Sequence, residues 1–249
     1  MKRWFFCVVV ALTLANGLLT TANGQNVQLL YDLGHTLYSD LSGRPNVTTT
    51  VEMYKPDKWG STFLFTDITY FTDGVAGAYW EISREFNITK NKRWAAHIEY
   101  NGGATSLEHT AIASRFQHAL QLGGAWNWAS DDFTKTFSLQ ALYKQYFKGT
   151  GRKGFSSFQA TAVWGLNFAK GLLTFSGFAD LWYDPDVKGK LILLSQPQFW
   201  VNLNTLKGMD GVNLSLGTEV EVSNNFIYND KGDHNKFFVI PSLAAKWTF

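Results

Sequence analysis

The sequence has a single cysteine, few prolines and no long apolar run after its N-terminal segment. Its one cysteine, Cys7, lies in the N-terminal apolar stretch, so the rest of the chain can form neither disulfides nor thiolate metal sites. No later run reaches the roughly 18 apolar residues of a transmembrane helix. Aromatic residues make up 16% of the chain and only 5 prolines occur, which favours a β protein, either soluble or membrane-spanning.

An excess of charge of one sign is also missing. The whole chain carries a net charge of +2. Setting aside Lys2 and Arg3 with the N-terminal segment leaves 22 − 2 = 20 basic residues against 20 acidic residues. A neutral chain offers no basic surface for phosphate, so nucleic acid is not expected as a partner.

The N-terminal segment has the features of a secretory signal peptide. Lys2 and Arg3 precede an apolar run over residues 4–12. Ala22 and Gly24 then stand two apart, which suits the −3 and −1 positions of a signal-peptidase site. We predict a signal peptide over residues 1–24, with cleavage after Gly24 or alternatively after Ala22. An uncleaved anchor helix is the less favoured alternative.

The remainder of the chain, residues 25–249, alternates between apolar and polar or small residues. Such period-two segments are typical of strands that face lipid on one side and a polar lumen on the other. Because backbone groups in lipid must pair within the protein, a spanning sheet has to close. We therefore predict an all-β, closed antiparallel transmembrane β-barrel of about 12 strands, over a soluble sandwich. The predicted strands are 27–38, 47–54, 59–71, 75–86, 94–101, 113–128, 136–147, 155–168, 172–183, 191–203, 212–222 and 237–249.

The last predicted strand is the most informative one. Counting back from the terminal Phe249, every second position is apolar and includes Trp247 and Leu243, whereas Lys246 and Ser242 lie on the other face. This pattern resembles the assembly signal that barrel-insertion machinery reads in outer-membrane proteins. It predicts an outer-membrane location in a Gram-negative bacterium, with lipid and lipopolysaccharide around the barrel and both termini in the periplasm.

The predicted inward positions are rich in carboxylates and aromatic rings. An acidic lumen attracts cations and disfavours anions, and rings stack on planar solutes while carboxylates accept hydrogen bonds from hydroxyls. We predict a channel for small polar solutes without cofactor or metal. Inward acids are Asp32, Glu52, Glu81, Glu85, Glu99, Asp180, Glu219 and Glu221, inward cations Lys144 and Lys246, and inward rings Tyr38, Tyr54, Tyr79, Tyr146, Phe178, Trp182 and Trp200. The predicted constriction is Tyr79, Glu81, Glu99, Asp180, Trp182, Trp200 and Glu219.

Three alternatives to a channel stay open. A plugged barrel would use its inward charges only to pair with one another and with water. A barrel hydrolase such as a phospholipase would need Ser beside a lipid-facing His such as His118, and Leu120 stands where that serine would be expected; the loop residues Asp230, Asp233 and His234 are a weaker acid–base set. A partner-binding barrel would use the apolar loop residues Phe226, Ile227 and Tyr228. We predict no catalytic residue.

Several segments of the chain resemble an uncharacterised family of short barrels. They include LLYDLGHTLYSDLSGRPNVTTTVEMYKPDKWGSTFLF, AYWEISREF, IEYNGG, FAKGLLTFSGFADLW, QPQFWVNLN and NLSLGTEVEVSNNF. The resemblance covers nearly the whole mature chain, and that family is similar to the Tsx-type nucleoside channels of Gram-negative outer membranes. It implies a monomeric twelve-stranded barrel with a narrow lumen and suggests nucleosides or similar solutes. No residue of Tsx-type channels is carried over to this chain.

Overall fold

One antiparallel sheet of fourteen strand segments makes up the computed structural model, which describes residues 24–106, 113–149, 151–227 and 232–249. The predicted signal peptide therefore lies outside the described residues, apart from Gly24. The strands are β1 Gln25–Asp32, β2 Val47–Pro56, β3 Gly60–Phe71, β4 Gly74–Asn87, β5 Trp94–Ser106, β6 Ala113–Arg115, β7 Ala119–Ala129, β8 Lys135–Tyr146, β9 Phe155–Phe168, β10 Leu173–Tyr183, β11 Leu191–Ser195, β12 Gln198–Asn202, β13 Leu214–Asn224 and β14 Phe237–Thr248.

The sheet closes into a barrel. Strand β1 pairs with both β2 and β14, and β10 pairs with β9 on one side and with β11 and β12 on the other. Strands β6 and β7 both pair with β5, and β11 and β12 both pair with β13, so each couple forms one interrupted barrel strand. The described segments thus give the predicted closed barrel of 12 antiparallel strands. Closure leaves no unpaired edge to face lipid.

The predicted strand over residues 191–203 is interrupted at Gln196 and Pro197. Pro197 has no N–H to donate to a neighbouring strand, and the strand breaks there without a change of register against β10 or β13. Gly177 on β10 lets the chain pass close at this break, because a Cβ at that position would lie 2.5 Å from the Gln196 carbonyl oxygen. Its φ of 149° is also one that other residues rarely adopt.

The first barrel strand is shorter than the predicted segment 27–38. It ends at Asp32, whose carboxylate accepts a hydrogen bond from the Gly34 N–H at 2.6 Å. A four-residue helix α1, Gly34–Leu37, and a 3₁₀ turn, Ser39–Leu41, follow. Tyr38 therefore lies in a loop and not on an inward strand face, and its ring packs edge-on against Phe238 at 5.1 Å. Further 3₁₀ turns span Ala169–Gly171 and Leu203–Thr205.

No helix within the described ranges is long and apolar enough to cross a membrane.

The outer surface of the barrel is apolar and carries aromatic residues at both ends. Outward positions include Leu29, Leu139 and Leu243, which are 54%, 47% and 65% exposed. Tyrosines and tryptophans lie where lipid meets water, because their rings are apolar with one polar tip. Apart from Trp80 near the middle of β4, the outward tryptophans lie at the end that holds the termini, and the outward tyrosines lie at the other end. The tryptophans at the end with the termini are Trp59, Trp94, Trp126, Trp128, Trp164 and Trp247. The tyrosines at the opposite end are Tyr31, Tyr70, Tyr100, Tyr143 and Tyr183.

Both chain ends of the barrel lie together, since the Phe249 N–H donates to the Gln25 carbonyl at 3.0 Å. Most links at this end are short turns, whereas several longer loops lie at the other end. Short turns and termini mark the periplasmic side of bacterial barrels, so the opposite end is extracellular. Val239, Leu243 and Trp247 face outward as predicted, being 48%, 65% and 40% exposed.

Candidate functional site

The register of the strands places all seven residues of the predicted constriction on the inward face. Because side chains alternate along a strand, one inward residue fixes the face of its paired neighbours. Glu81 pairs with Phe65 and with Asn101, and Asp180 pairs with Thr161 and Leu194. The predicted inward lysines, Lys144 and Lys246, lie on this face as well. The structure does not bring all seven constriction residues together; they separate into two clusters.

The first group, here called the Lys144 cluster, joins strands β4, β5, β7, β8 and β10. The Lys144 ammonium donates to Gln159 Oε1 at 2.7 Å and lies 5.1 Å from the ring centres of both Tyr146 and Trp182. It interacts electrostatically with three inward carboxylates rather than with one close partner. The members of the cluster are Tyr79, Glu81, Glu99, Gln121, Lys144, Asp180 and Trp182.

Neutral side chains hold the carboxylates of the Lys144 cluster. Tyr79 donates to Glu81 at 2.6 Å, and Gln121 donates to Glu99. Thr161 donates to Asp180 at 2.5 Å. These contacts orient the acids without cancelling their charge, so Lys144 is the main compensating cation.

A histidine extends this cluster toward the periplasm. His97 is buried, with Nε2 at 3.2 Å from Glu99 and Nδ1 at 3.4 Å from Glu85. Asn127 donates to the other oxygen of Glu85 at 2.7 Å. Glu85 is one of the predicted inward acids, whereas His97 is not among the predicted site residues.

The second group, here called the Trp200 cluster, lies on strands β2, β3, β12, β13 and β14. Trp200 donates through Nε1 to Gln198 at 3.0 Å, and Gln198 donates to Glu219 at 2.7 Å. The Lys246 ammonium lies 4.2 Å from the centre of the Trp200 ring. Glu219 interacts electrostatically with further inward carboxylates. The members of the cluster are Glu52, Asp67, Gln198, Trp200, Glu219 and Lys246.

The extracellular mouth is narrowed by the segment that follows β1. Arg44 of this segment forms ion pairs with Asp32 at 2.9 Å and with Glu221 at 2.8 Å, both of which point inward. Leu41 packs on the inward residues Phe238 and Ile240, and all three are almost fully buried. The segment 33–46 therefore folds into the mouth of the barrel.

Arg44 is a residue of the extracellular mouth that the sequence does not predict. Arg44 belongs to a predicted loop, and nothing in its neighbours identifies it as part of the lumen. The predicted apolar loop patch is partly exposed: Phe226 is 45% exposed while packing edge-on against Trp182 at 5.9 Å, and Ile227 packs on the cluster at Leu41. Tyr228 and Asp230 lie outside the described residues.

His118, the candidate base of a hydrolase, lies on the outer face among aromatic side chains. Its Nδ1 is 3.1 Å from the Tyr100 hydroxyl, and its ring centre is 5.0 Å from that of Phe147. The described partners of this ring are thus aromatic residues rather than a serine hydroxyl. This arrangement is that of an interfacial histidine.

The described part of the chain contains no group of three or more His, Cys, Asp and Glu side chains placed to hold a metal ion.

Comparison with known proteins identifies a family and a fold. A family described as a domain of unknown function (DUF5020) matches residues 24–249, and no curated protein sequence matches the chain. The NanC porin aligns with a TM-score of 0.57 at 9% identity, covering 91% of this chain and 100% of the porin.

Two further solved barrels align less well. The KdgM porin has a TM-score of 0.47 at 10% identity, covering 90% of this chain and 98% of its own. LpxR from Salmonella typhimurium has a TM-score of 0.44 at 9% identity, covering 90% of this chain and 99% of its own. The likeness to NanC concerns the fold, and with the closed sheet and apolar exterior it places the chain in the outer membrane.

Proposed function

The chain belongs to the DUF5020 family, whose domain is described as of unknown function, and from the residues that face its lumen we propose that it is a channel for small polar solutes. The channel favours cations, and neutral solutes rich in hydrogen-bond donors, over anions. The NanC barrel, to which the fold is similar, is named a porin, so a pore is a function that this fold accommodates.

One observation carries the proposal: the inward carboxylates of the Trp200 cluster accept hydrogen bonds from neutral donors. Asn26 donates to Glu52 at 2.8 Å, Thr50 to Asp67 at 2.5 Å and Gln198 to Glu219 at 2.7 Å. Such pairing fixes each acid but leaves its negative charge in the lumen. Field lines from uncompensated charges focus in a pore with low-dielectric walls, which raises the local concentration of cations.

Nucleosides are the finer form of the proposal. The Lys144 cluster combines an aromatic ring with a carboxylate acceptor, Trp182 near Asp180, whereas in the Trp200 cluster Lys246 lies over the ring. Stacking of a base on a ring contributes about 1–3 kcal/mol, and carboxylates accept hydrogen bonds from ribose hydroxyls. The resemblance to Tsx-type channels points to the same solutes.

Solute flux into proteoliposomes tests this proposal. We expect adenosine to enter faster than a disaccharide of similar size, and we expect Trp182→Leu to slow adenosine while leaving the sugar unchanged. Trp126→Leu is the matched control, because that ring lies on the outer face at the periplasmic end. Equal rates for nucleoside and sugar in the wild-type barrel would remove nucleoside preference and leave the pore.

A plugged barrel is the second candidate, and the mouth is the observation that favours it. Leu41, Phe238 and Ile240 are 3%, 2% and 1% exposed where the segment 33–46 folds inward. Single-channel recording in planar bilayers separates the two candidates. A channel gives discrete current steps in KCl, whereas a purified, folded barrel that passes no current would support the plug.

A further inference from the structure

Trp200 lies flat against the inner wall of the barrel. Its ring extends over Gly217 on the neighbouring strand, where an added Cβ would lie 2.8 Å from Trp200 Cε3. Beyond Gly217 it packs with Ala244 and Leu30, so the ring crosses from β12 toward β1. A ring that lies along the wall presents one face to the lumen.

Lys246 covers that face. Its ammonium lies 4.2 Å from the ring centre, within the range of a cation–π contact. Trp200 is 0% exposed as a result of its wall contacts and this cover. In the described part of the chain, Lys246 forms no ion pair within 4.0 Å, and its electrostatic partner is Glu52. The lysine is thus held mainly by the aromatic face.

Glu52, the electrostatic partner of this ammonium, belongs to a group of hydrogen-bond acceptors. Asp67 interacts electrostatically with Glu52, and Glu219 interacts with both of them. Gln28, which is 2% exposed, donates through Nε2 to Glu52 at 3.2 Å, and its Oε1 has no hydrogen-bond partner among the residues that the structure describes. A buried acceptor without a donor is costly, so the Gln28 oxygen marks a place where a donor is wanted.

We propose that the Trp200 cluster is a binding site for the ammonium group of an organic amine, and that Lys246 occupies it as an intramolecular competitor. The aromatic face and the acceptors Glu52, Asp67, Glu219 and Gln28 form the site. This inference rests on the proposed channel and names a class of solute for it. Removing the lysine ammonium vacates the ring and leaves the carboxylates in place.

Calorimetric titration of the folded barrel in detergent with tetramethylammonium chloride tests the site without requiring transport. Lys246→Met is expected to bind this ion on the order of tenfold more tightly than wild type, because a cation–π contact with a desolvated ring has that strength. tert-Butanol, a neutral probe of similar size, is expected to show no such gain. Lys188→Met is the matched control, because that lysine is exposed in an extracellular loop.

A second variant separates the ring from the carboxylates. In the Lys246→Met background, Trp200→Leu is expected to abolish the gain for tetramethylammonium and to leave sodium binding unchanged. Trp200→Phe, which retains a ring, is expected to keep part of the gain. Circular dichroism and the mobility shift between heated and unheated samples in electrophoresis show that each variant is folded.

The outcomes distinguish the site from the channel. Tight tetramethylammonium binding by Lys246→Met, unchanged by Trp200→Leu, would assign it to the carboxylates and overturn the proposal. No gain on removing Lys246 would overturn it as well. Amine binding in a barrel that passes no current would refute the channel and retain the site.

Discussion

The two lumen lysines are held in different ways. Lys144 hydrogen-bonds to Gln159, lies between two aromatic rings and interacts with Glu81, Glu99 and Asp180. Lys246 has the Trp200 ring as its close contact. The Lys144 cluster therefore resembles a structural network in which one cation serves several acids. The Trp200 cluster has acids and a ring in excess of what its lysine satisfies, which suits a surface that meets solutes.

Stability measurements give the largest expected difference between the clusters. Lys144→Met leaves Glu81 and Asp180 without their compensating cation, and removing one member of a buried charged network costs about 3 kcal/mol. Lys246→Met is expected to lower the free energy of unfolding by about 1 kcal/mol or less, since that lysine contributes mainly one cation–π contact. Urea-induced unfolding in lipid vesicles measures both. Equal losses would contradict the distinction between the clusters.

Ion selectivity should respond more strongly to the Trp200 cluster than to the Lys144 cluster. The double variant Asp67→Asn with Glu219→Gln removes charges that form no ion pair within the described residues, so the permeability ratio of K⁺ to Cl⁻ should fall markedly. The matched double variant Glu81→Gln with Asp180→Asn removes charges that Lys144 already offsets, so the fall should be smaller. Bilayer recordings give both ratios, and the reverse order would show that Lys144 does not compensate its cluster.

The mouth provides a comparison between two arginines. Arg44→Ala removes the ion pairs to Asp32 and Glu221, so the segment 33–46 should loosen and the single-channel conductance should rise. Arg152→Ala is the control, because Arg152 pairs with Asp184 and Asp186 and joins two extracellular loops. A conductance that Arg44→Ala leaves unchanged would mean that this segment does not limit the pore.

The smallest expected effect lies in a periplasmic turn. Hydrogen bonds from Ser130 and Thr134 lower the pKa of the Asp132 carboxyl from 3.8 to about 2. Because the folded pKa is the lower one, the stabilisation is present above about pH 4 and is lost as the pH falls through about 2. An NMR titration of the Asp132 carboxyl carbon should show an inflection near that value. Thr134→Val removes the hydroxyl donor and should move it upward, and no movement would assign the shift to other contacts.

Alternation predicted the inward face of the residues that lie on strands, whereas Tyr38 was predicted wrongly because β1 ends at Asp32. Glu219, Lys144 and Trp200 were placed correctly because side-chain direction has a period of two and needs no tertiary information. The outward face of Leu243 and Trp247 followed in the same way. Barrel closure was predictable because unpaired edges are not tolerated in lipid. The strand number was predictable from the count of alternating segments.

The ends of strands and the partners across the lumen were not predictable from alternation. Asp32 ends β1 through a local turn with Gly34, and the strand break at Pro197 lies against Gly177 on another strand. Which inward residues meet depends on the stagger of the closed sheet, which no single strand encodes. For this reason Trp200 was grouped with Trp182 although they belong to different clusters.

The reversal potential of the wild-type barrel under a KCl gradient tests most directly whether the lumen is an acidic, cation-favouring pore. With more carboxylates than lysines facing inward, K⁺ should cross more readily than Cl⁻, and the dilute side should become positive. A dilute side that becomes negative, or a folded barrel that conducts no current, would contradict this function.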